Sequence, residues 1–282
     1  MSNAVQVSAR VAGQSQPTVS PALAPAFSYA FQPIVDTVAR EVFSYEALIR
    51  GPANEPAVRV LEQVPDDLKH QFDQDSRIQA ITLAARIGLK CNLNLNFLPR
   101  SLELCADAIG HTCKAAMDNC LPLERIMLEV TEGEVINDHS HFAALLNEYR
   151  RLGIKLAIDD FGAGYSGLNL LAEFQPDHVK IDMNLVRGIE SHGPRQAIVR
   201  GIVQVCGDLG IDVIAEGVET IQEFRWFEDH GIRLFQGYLF AKPEFEKFPS
   251  AVFPSSTRCP KHSDSKQNNA AECEKNRAEG LG

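Results

Sequence analysis

Eight polar side chains stand inside or at the ends of otherwise apolar runs: Glu46, Asn94, Glu129, the adjacent pair Asp159 and Asp160, Lys180, Glu216 and Gln236. In Ile126-Met127-Leu128-Glu129-Val130 a single carboxylate is flanked by residues of buried type. An ionised group there is costly unless it is paired or bound to a metal. Taken singly, each has an ordinary explanation: Glu46 solvated at a strand end, Asn94 satisfying a turn, Lys180 at a sheet edge, Gln236 as a core amide. Seven apolar runs that each contribute a polar residue point instead to one shared site. The donors are carboxylates and amides, without His or Cys. Such hard oxygen ligands suit Mg²⁺ or Mn²⁺, Ca²⁺ less well, and argue against structural zinc. Asp159 and Asp160 repel each other, which favours a cation beside them. Two adjacent acids suggest two ions with Asp159 shared, and two ions about 3.5–4 Å apart are a common device for phosphodiester hydrolysis.

The same stretch carries a competing pattern. Gly162-Ala163-Gly164-Tyr165-Ser166-Gly167 matches G-x-G-x-x-G after the apolar run Lys155–Ile158, with Asp182 downstream. A dinucleotide loop would place Asp159 and Asp160 beside a pyrophosphate. It would also belong to the first βα unit of its domain, whereas several strands precede it here. A mobile loop over the acids is the better reading.

The elements that must position these residues follow from periodicity. Phe27–Val35 and Glu41–Ile49 read as an antiparallel pair. Helical segments follow at Ala57–Gln63 and Phe72–Ile87, the latter stopped by Gly88. Cys91–Asn96, Arg125–Thr131, Lys155–Asp159, His178–Ile181, Asp212–Ala215 and Leu234–Phe240 read as strands. Between them lie helical segments in Pro99–Cys120, Ser140–Leu152, Gln196–Leu209 and Thr220–His230, with Gly153, Gly210 and Gly231 as stops. Strands alternating with helices over about 220 residues indicate an α/β barrel, whose strand ends converge on one face. The first strand lacks a crossover helix. The expected fold is therefore a modified TIM (β/α)8 barrel with one antiparallel strand near the N-terminus. Strand pleating points Asp159 and Asp160 to opposite faces, so the chain is expected to leave the strand at Asp160.

Composition bounds the rest. With 282 residues, 45% of them hydrophobic, the chain can bury a substantial core. Residues 1–26 read as a flexible leader, 27–249 as one domain and 250–282 as a disordered polar tail. The net charge of -10 argues against polymeric nucleic acid and acidic membrane surfaces as partners, though not against a small anion held through metals. No run reaches spanning length and no signal peptide is read. Seven cysteines without a C-x-x-C pair indicate a reduced, cytoplasmic chain. Cys105, Cys113 and Cys120 lack the tight pairing of zinc ligands.

These residues fall in motifs that resemble the EAL-domain family, phosphodiesterases for the bacterial second messenger cyclic di-GMP. The motifs are Gln32-Pro33-Ile34, Glu46-Ala47-Leu48, Glu129-Val130-Thr131-Glu132, Asp159-Asp160-Phe161-Gly162, Lys180-Ile181-Asp182, Glu216-Gly217-Val218-Glu219 and Gln236-Gly237-Tyr238. The resemblance spans about 28–245. It implies that Glu46, Asn94, Glu129 and Asp159 hold one Mg²⁺ or Mn²⁺ ion and that Asp160 engages a second. Glu216 would belong to the metal and water site, and Lys180 would bind and help deprotonate the attacking water. Gln32, Leu48, Arg50 and Gln236 would line the substrate, Arg50 through a phosphate. Glu132 would anchor the loop from Asp160 to Leu168, and Glu219 would brace the ligands from behind. The resemblance further implies opening of cyclic di-GMP to linear pGpG, inhibition by Ca²⁺ and a homodimer without membrane insertion. Ala163, Gly167, Asn96 and Gly51 depart from common family residues; none is a ligand. Binding cyclic di-GMP without cleaving it, or binding a partner, is the alternative. Inert relatives typically lose an acid, the lysine or the Asp-Asp pair, and all are present here.

Overall fold

The computed structural model describes residues 25–99, 109–131, 147–164 and 174–254, with Ala144, Leu168, Leu171 and Ala172. β1 (Ser28–Asp36) and β2 (Glu41–Arg50) form an antiparallel hairpin. Parallel strands follow: β3 (Asn92–Asn96), β4 (Ile126–Thr131), β5 (Lys155–Phe161), β6 (His178–Ile181), β7 (Asp212–Ala215) and β8 (Leu234–Gln236). β8 then pairs antiparallel with β1, which closes an eight-stranded barrel with β1 as its one reversed strand. A short strand, β9 (Glu244–Phe245), adds to β1. The helices are α1 (Ala57–Leu61), α2 (Lys69–Arg86), α3 (Gly110–Asp118), α4 (Met183–Val186), α5 (Gly193–Leu209) and α6 (Ile221–Asp229). Residues 147–151 are also helical.

Strand alternation decides what lies inside the barrel. Leu93 and Leu95, Leu128 and Val130, Leu156 and Ile158, Val179 and Ile181 all join the core between the strands and the helices. Their neighbours Asn94, Glu129, Asp159 and Lys180 therefore take the other face and point inward. Below them a small apolar plug of Ile34, Ile214 and Leu234, packed against Phe43, fills the lower interior. The apolar plug and the polar upper layer thus come from the same inward faces of the strands.

Several expected boundaries shift for physical reasons. β5 continues through Asp160 to Phe161 instead of ending at Asp159, because Asp160 itself takes a left-handed backbone (φ 53°) and its pairing with β6 skips between Ile158 and Phe161. This bulge re-aims the second acid without ending the strand. β8 stops at Gln236 and not at Phe240, since Gly237 brings the chain against Val218. A Cβ at 237 would lie 2.0 Å from the Val218 carbonyl oxygen. α5 begins at Gly193, earlier than expected, with Pro194 in its first turn and the His192 ring capping it. Beyond residue 249, Ala251 and Phe253 still pack on the core. The leader through residue 24 and the tail from residue 255 lie outside the described residues, as does Glu132. Among the described residues no helix is long and apolar enough to cross a membrane.

Candidate active site

Lys180 occupies the centre of the inward polar layer and is 1% exposed. Its Nζ lies 2.5 Å from Glu216 Oε1, 2.9 Å from both Glu129 Oε1 and Asp159 Oδ1, and 3.4 Å from Glu46 Oε2. The register accounts for this convergence: Glu46 pairs with Asn94, Asn96 with Glu129 and Thr131 with Asp159 on successive parallel strands. Across the hairpin, Gln32 faces Glu46. Asn94 Nδ2 donates to Glu129 Oε1 (2.7 Å), and Gln236 Nε2 donates to Glu46 Oε2 (2.7 Å). The sequence-derived residues Glu46, Asn94, Glu129, Asp159, Lys180, Glu216, Gln236 and Gln32 are thus brought together.

The acids outnumber the cation. Glu46, Glu129, Asp159 and Glu216 surround one ammonium, Asp160 adds a fifth carboxylate beside Asp159 and Glu216, and the field shows in the protonation of Glu129, Glu216 and Asp160. Burial, opposed by Lys180 and reinforced by Glu46 and Asp159, pushes the Glu129 carboxyl up to about 8. Burial pushes Glu216 well above the carboxylate range against the pull of Lys180. Asp160 rises to about 6 through burial and the carboxylates of Asp159 and Asp182. Burial works against the Lys180 ammonium, but Asp159, Glu129, Glu216 and Glu46 outweigh it and hold its proton well above the usual lysine range. Buried carboxyls held this far above their ordinary range are groups whose charged form divalent cations would stabilise.

Geometry divides the donors into two overlapping sets. Glu46, Glu129 and Asp159 each offer an oxygen within 4.8 Å of the others, and so do Asp159, Asp160 and Glu216. Asp159 belongs to both. Asn94 Oδ1 and Glu129 Oε2 are buried without a hydrogen-bond partner among the described residues, which leaves oxygen donors for an ion to take. Every donor is a hard oxygen, so the set fits Mg²⁺ or Mn²⁺.

A cavity of about 290 Å³ opens above these acids. Gln32, Glu46, Asp159, Asp160, Lys180, Glu216 and Gln236 form its floor and walls, and Met183, Arg187, Glu219 and Tyr238 stand among its remaining lining. Leu48 and Arg50 line a neighbouring, more apolar cavity of about 310 Å³ with Phe72 and Arg77. The Arg50 guanidinium donates to the Ile49 carbonyl. Glu219 does not touch the acids; its carboxylate pairs with Arg187 at 2.6 Å. Arg187, Met183 and Tyr238 are site residues that sequence reasoning missed. Arg187 and Tyr238 lie outside the strands and Met183 opens the single-turn helix α4, places where no periodicity marks a residue, although Met183 directly follows Lys180-Ile181-Asp182 and Tyr238 ends Gln236-Gly237-Tyr238.

Comparison with known proteins bears on this geometry. A family model described as the EAL domain matches residues 18–243. The chain belongs to the EAL-domain family. This EAL domain is 37% identical over 245 residues to the blue light- and temperature-regulated antirepressor BluF of Escherichia coli K12, covering 86% of this chain and 61% of BluF. It is 41% identical over 118 residues to the cyclic di-GMP phosphodiesterase PdeR of the same organism, covering 42% of this chain and 18% of PdeR. The chain thus spans less than two thirds of the length of these curated relatives. Among solved structures, a standalone versatile EAL protein from Vibrio cholerae O395 in its c-di-GMP-bound form is 46% identical. It superposes with a TM-score of 0.77 over 80% of this chain and 95% of that one. Klebsiella pneumoniae BlrP1 in a manganese and cy-diGMP complex is 42% identical (TM-score 0.78; 86% of this chain, 61% of that one).

Proposed function

We propose that this EAL domain hydrolyses cyclic di-GMP to linear pGpG with two Mg²⁺ or Mn²⁺ ions. The observation that carries the reading is the pair of oxygen clusters sharing Asp159, with Lys180 set against both. The c-di-GMP-bound Vibrio protein and the manganese complex of BlrP1 support it through their likeness to this chain.

Glu46, Asn94, Glu129 and Asp159 would hold one ion, and Asp159, Asp160 and Glu216 would hold the other. When bound, the ions supply a more acidic water and offset negative charge on the attacked phosphate. The remaining steps belong to the side chains. Gln236 holds Glu46 by its amide, and Asn94 holds Glu129, so both carboxylates keep their orientation. Lys180 orients the attacking water. Its proton affinity is high in the bare acid cluster and falls as those carboxylates take up cationic charge, which is what a share in water deprotonation requires. Water adds to phosphorus, one P–O3′ ester bond breaks, and the freed 3′ oxygen leaves with a proton. Gln32 lines the cavity beside this centre, while Leu48 and Arg50 extend the binding surface into the adjoining cavity.

We assign residues 27–249 to the catalytic domain, extended by Ala251 and Phe253 that pack on its core, with a leader segment before it and a polar tail after it. Glu132 anchors the loop that follows Asp160, the chain acts in the cytoplasm as a homodimer, and Ca²⁺ inhibits by taking Mg²⁺ sites with looser geometry. A second reading draws on one observation: BluF, which matches 86% of this chain, is named an antirepressor. On that reading the domain binds a partner without turnover. Incubation of the folded protein with cyclic di-GMP and Mg²⁺, followed by chromatography, separates the two. pGpG is expected; intact cyclic di-GMP after prolonged incubation supports the partner-binding reading.

A further inference from the structure

Glu223 is 5% exposed and lies outside the acid cluster, yet it joins two of the loops around the cavity. Its Oε1 accepts from Gly188 N (3.0 Å), and its Oε2 accepts from Glu219 N (2.9 Å) and Thr220 N (3.0 Å). The bonds to Thr220 are those of an ordinary capping box at the start of α6. The bond to Gly188 is not: it reaches 35 residues back to the loop after β6. Gly188 follows Arg187, and Glu219 is the partner of Arg187. One buried carboxylate therefore grips the backbone of one member of the pair and that of the residue next to the other.

The position of that pair matters because of charge. Lys180 and Arg187 are the two cationic side chains among the described residues lining the cavity. Lys180 is enclosed by four carboxylates at the floor, whereas the Arg187 side chain is 50% exposed. Arg187 gives Nη2 to Glu219 and has no other described hydrogen-bond partner for its guanidinium, so donors remain for a ligand. A cyclic dinucleotide with one phosphodiester at the acids must place its other half toward the opening. That half offers a phosphate and guanine acceptor edges, both of which a guanidinium can receive in bidentate fashion.

We propose that Arg187 is a specificity-determining residue that receives the distal half of the dinucleotide, and that Glu223 is the positioning residue that holds it there. This rests on the proposed hydrolysis of cyclic di-GMP. Glu223→Gln is the discriminating substitution. An amide can keep its oxygen on Glu219 and Thr220, preserving the helix cap, but it then turns an N–H toward Gly188 N and breaks only the link to the Arg187 loop.

The test measures kcat and KM of Arg187→Ala and Glu223→Gln on cyclic di-GMP and on bis(p-nitrophenyl) phosphate, which has no distal half. Arg187→Ala is expected to raise KM for cyclic di-GMP about tenfold with kcat within about twofold, the loss of one charge-assisted contact. The loss on cyclic di-GMP should exceed that on the small diester at least about fivefold. Glu223→Gln should raise KM in the same direction and speed amide exchange across residues 184–192 while leaving exchange in α6 slow. Equal losses on both substrates, or an unchanged KM for cyclic di-GMP, would overturn the assignment. Should the wild type hydrolyse neither substrate, calorimetric binding of cyclic di-GMP to wild type and Arg187→Ala still decides the role of Arg187: weaker binding by the variant supports it and equal binding refutes it.

Discussion

Two positions before Lys180 on the same face of β6, His178 is 5% exposed, with its ring centroid 5.3 Å from that of Phe43. Its Nδ1 has no hydrogen-bond partner among the described residues. Burial lowers its pKa from 6.5 to about 4; Asp212 and Asp177 pull the other way, while Lys155 and Arg233 add to the lowering. The sign of the linkage follows. Above pH 6.5 the imidazole is neutral whether the chain is folded or unfolded, and it costs nothing. Between pH 6.5 and 4 the unfolded chain takes up a proton that the folded one refuses, so stability falls as pH falls. The full loss is on the order of 3 kcal/mol, and about 2 kcal/mol of it accrues between pH 7.5 and 5.0. His178→Phe keeps an aromatic ring against Phe43 and removes the titration. Urea unfolding of both proteins in EDTA at pH 7.5 and 5.0 should show the variant gaining about 2 kcal/mol relative to wild type at the lower pH. Comparing the two proteins cancels the opposite drift from the acids above, whose raised pKa values stabilise the folded state as pH falls. Parallel pH profiles for the two proteins would refute the reasoning.

Glu46→Ala should abolish turnover by removing an oxygen donor and the acceptor of the Gln236 amide; near-normal pGpG formation would contradict the ligand assignment. Lys180→Ala should chiefly lower kcat, and a change confined to KM would count against a role on the water. Arg77→Ala should destabilise the fold by about 3–5 kcal/mol in urea, because it takes the guanidinium away from the buried Asp73 carboxylate and the Phe97 ring. A loss under about 1 kcal/mol would show the pair to be dispensable. Gly237→Ala should cut activity while leaving the far-UV spectrum intact, since its Cβ would press on Val218 and part the chain after Glu216 from that after Gln236. Unimpaired turnover would show that this close approach is not needed.

The upper layer of the barrel was legible because period-two alternation exposes its members. Glu129 lies between Leu128 and Val130, and Lys180 between Val179 and Ile181, so each apolar pair marks the outward face and the polar residue the inward one. The reversed first strand was legible from the few residues separating β1 and β2. Asp160 was harder. Alternation alone sends it away from Asp159, and nothing in its local sequence announces that Asp160 itself would adopt a left-handed backbone. Arg187 and Tyr238 lie on loops, where position depends on tertiary contacts instead of period. Glu223 shows the limit most clearly. Thr220-x-x-Glu223 is readable as a capping box, but the bond to Gly188 exists only once β6 and β7 lie side by side.

The proposed sharing of Asp159 between two ions is tested most directly by Mn²⁺ titration of the metal-free protein, with bound ions counted by calorimetry while pGpG is assayed. Two Mn²⁺ ions per chain are expected, with turnover that rises as the second ion binds and loss of both sites in Asp159→Ala. A single ion at full activity, or two ions bound with cyclic di-GMP left uncleaved, would contradict it.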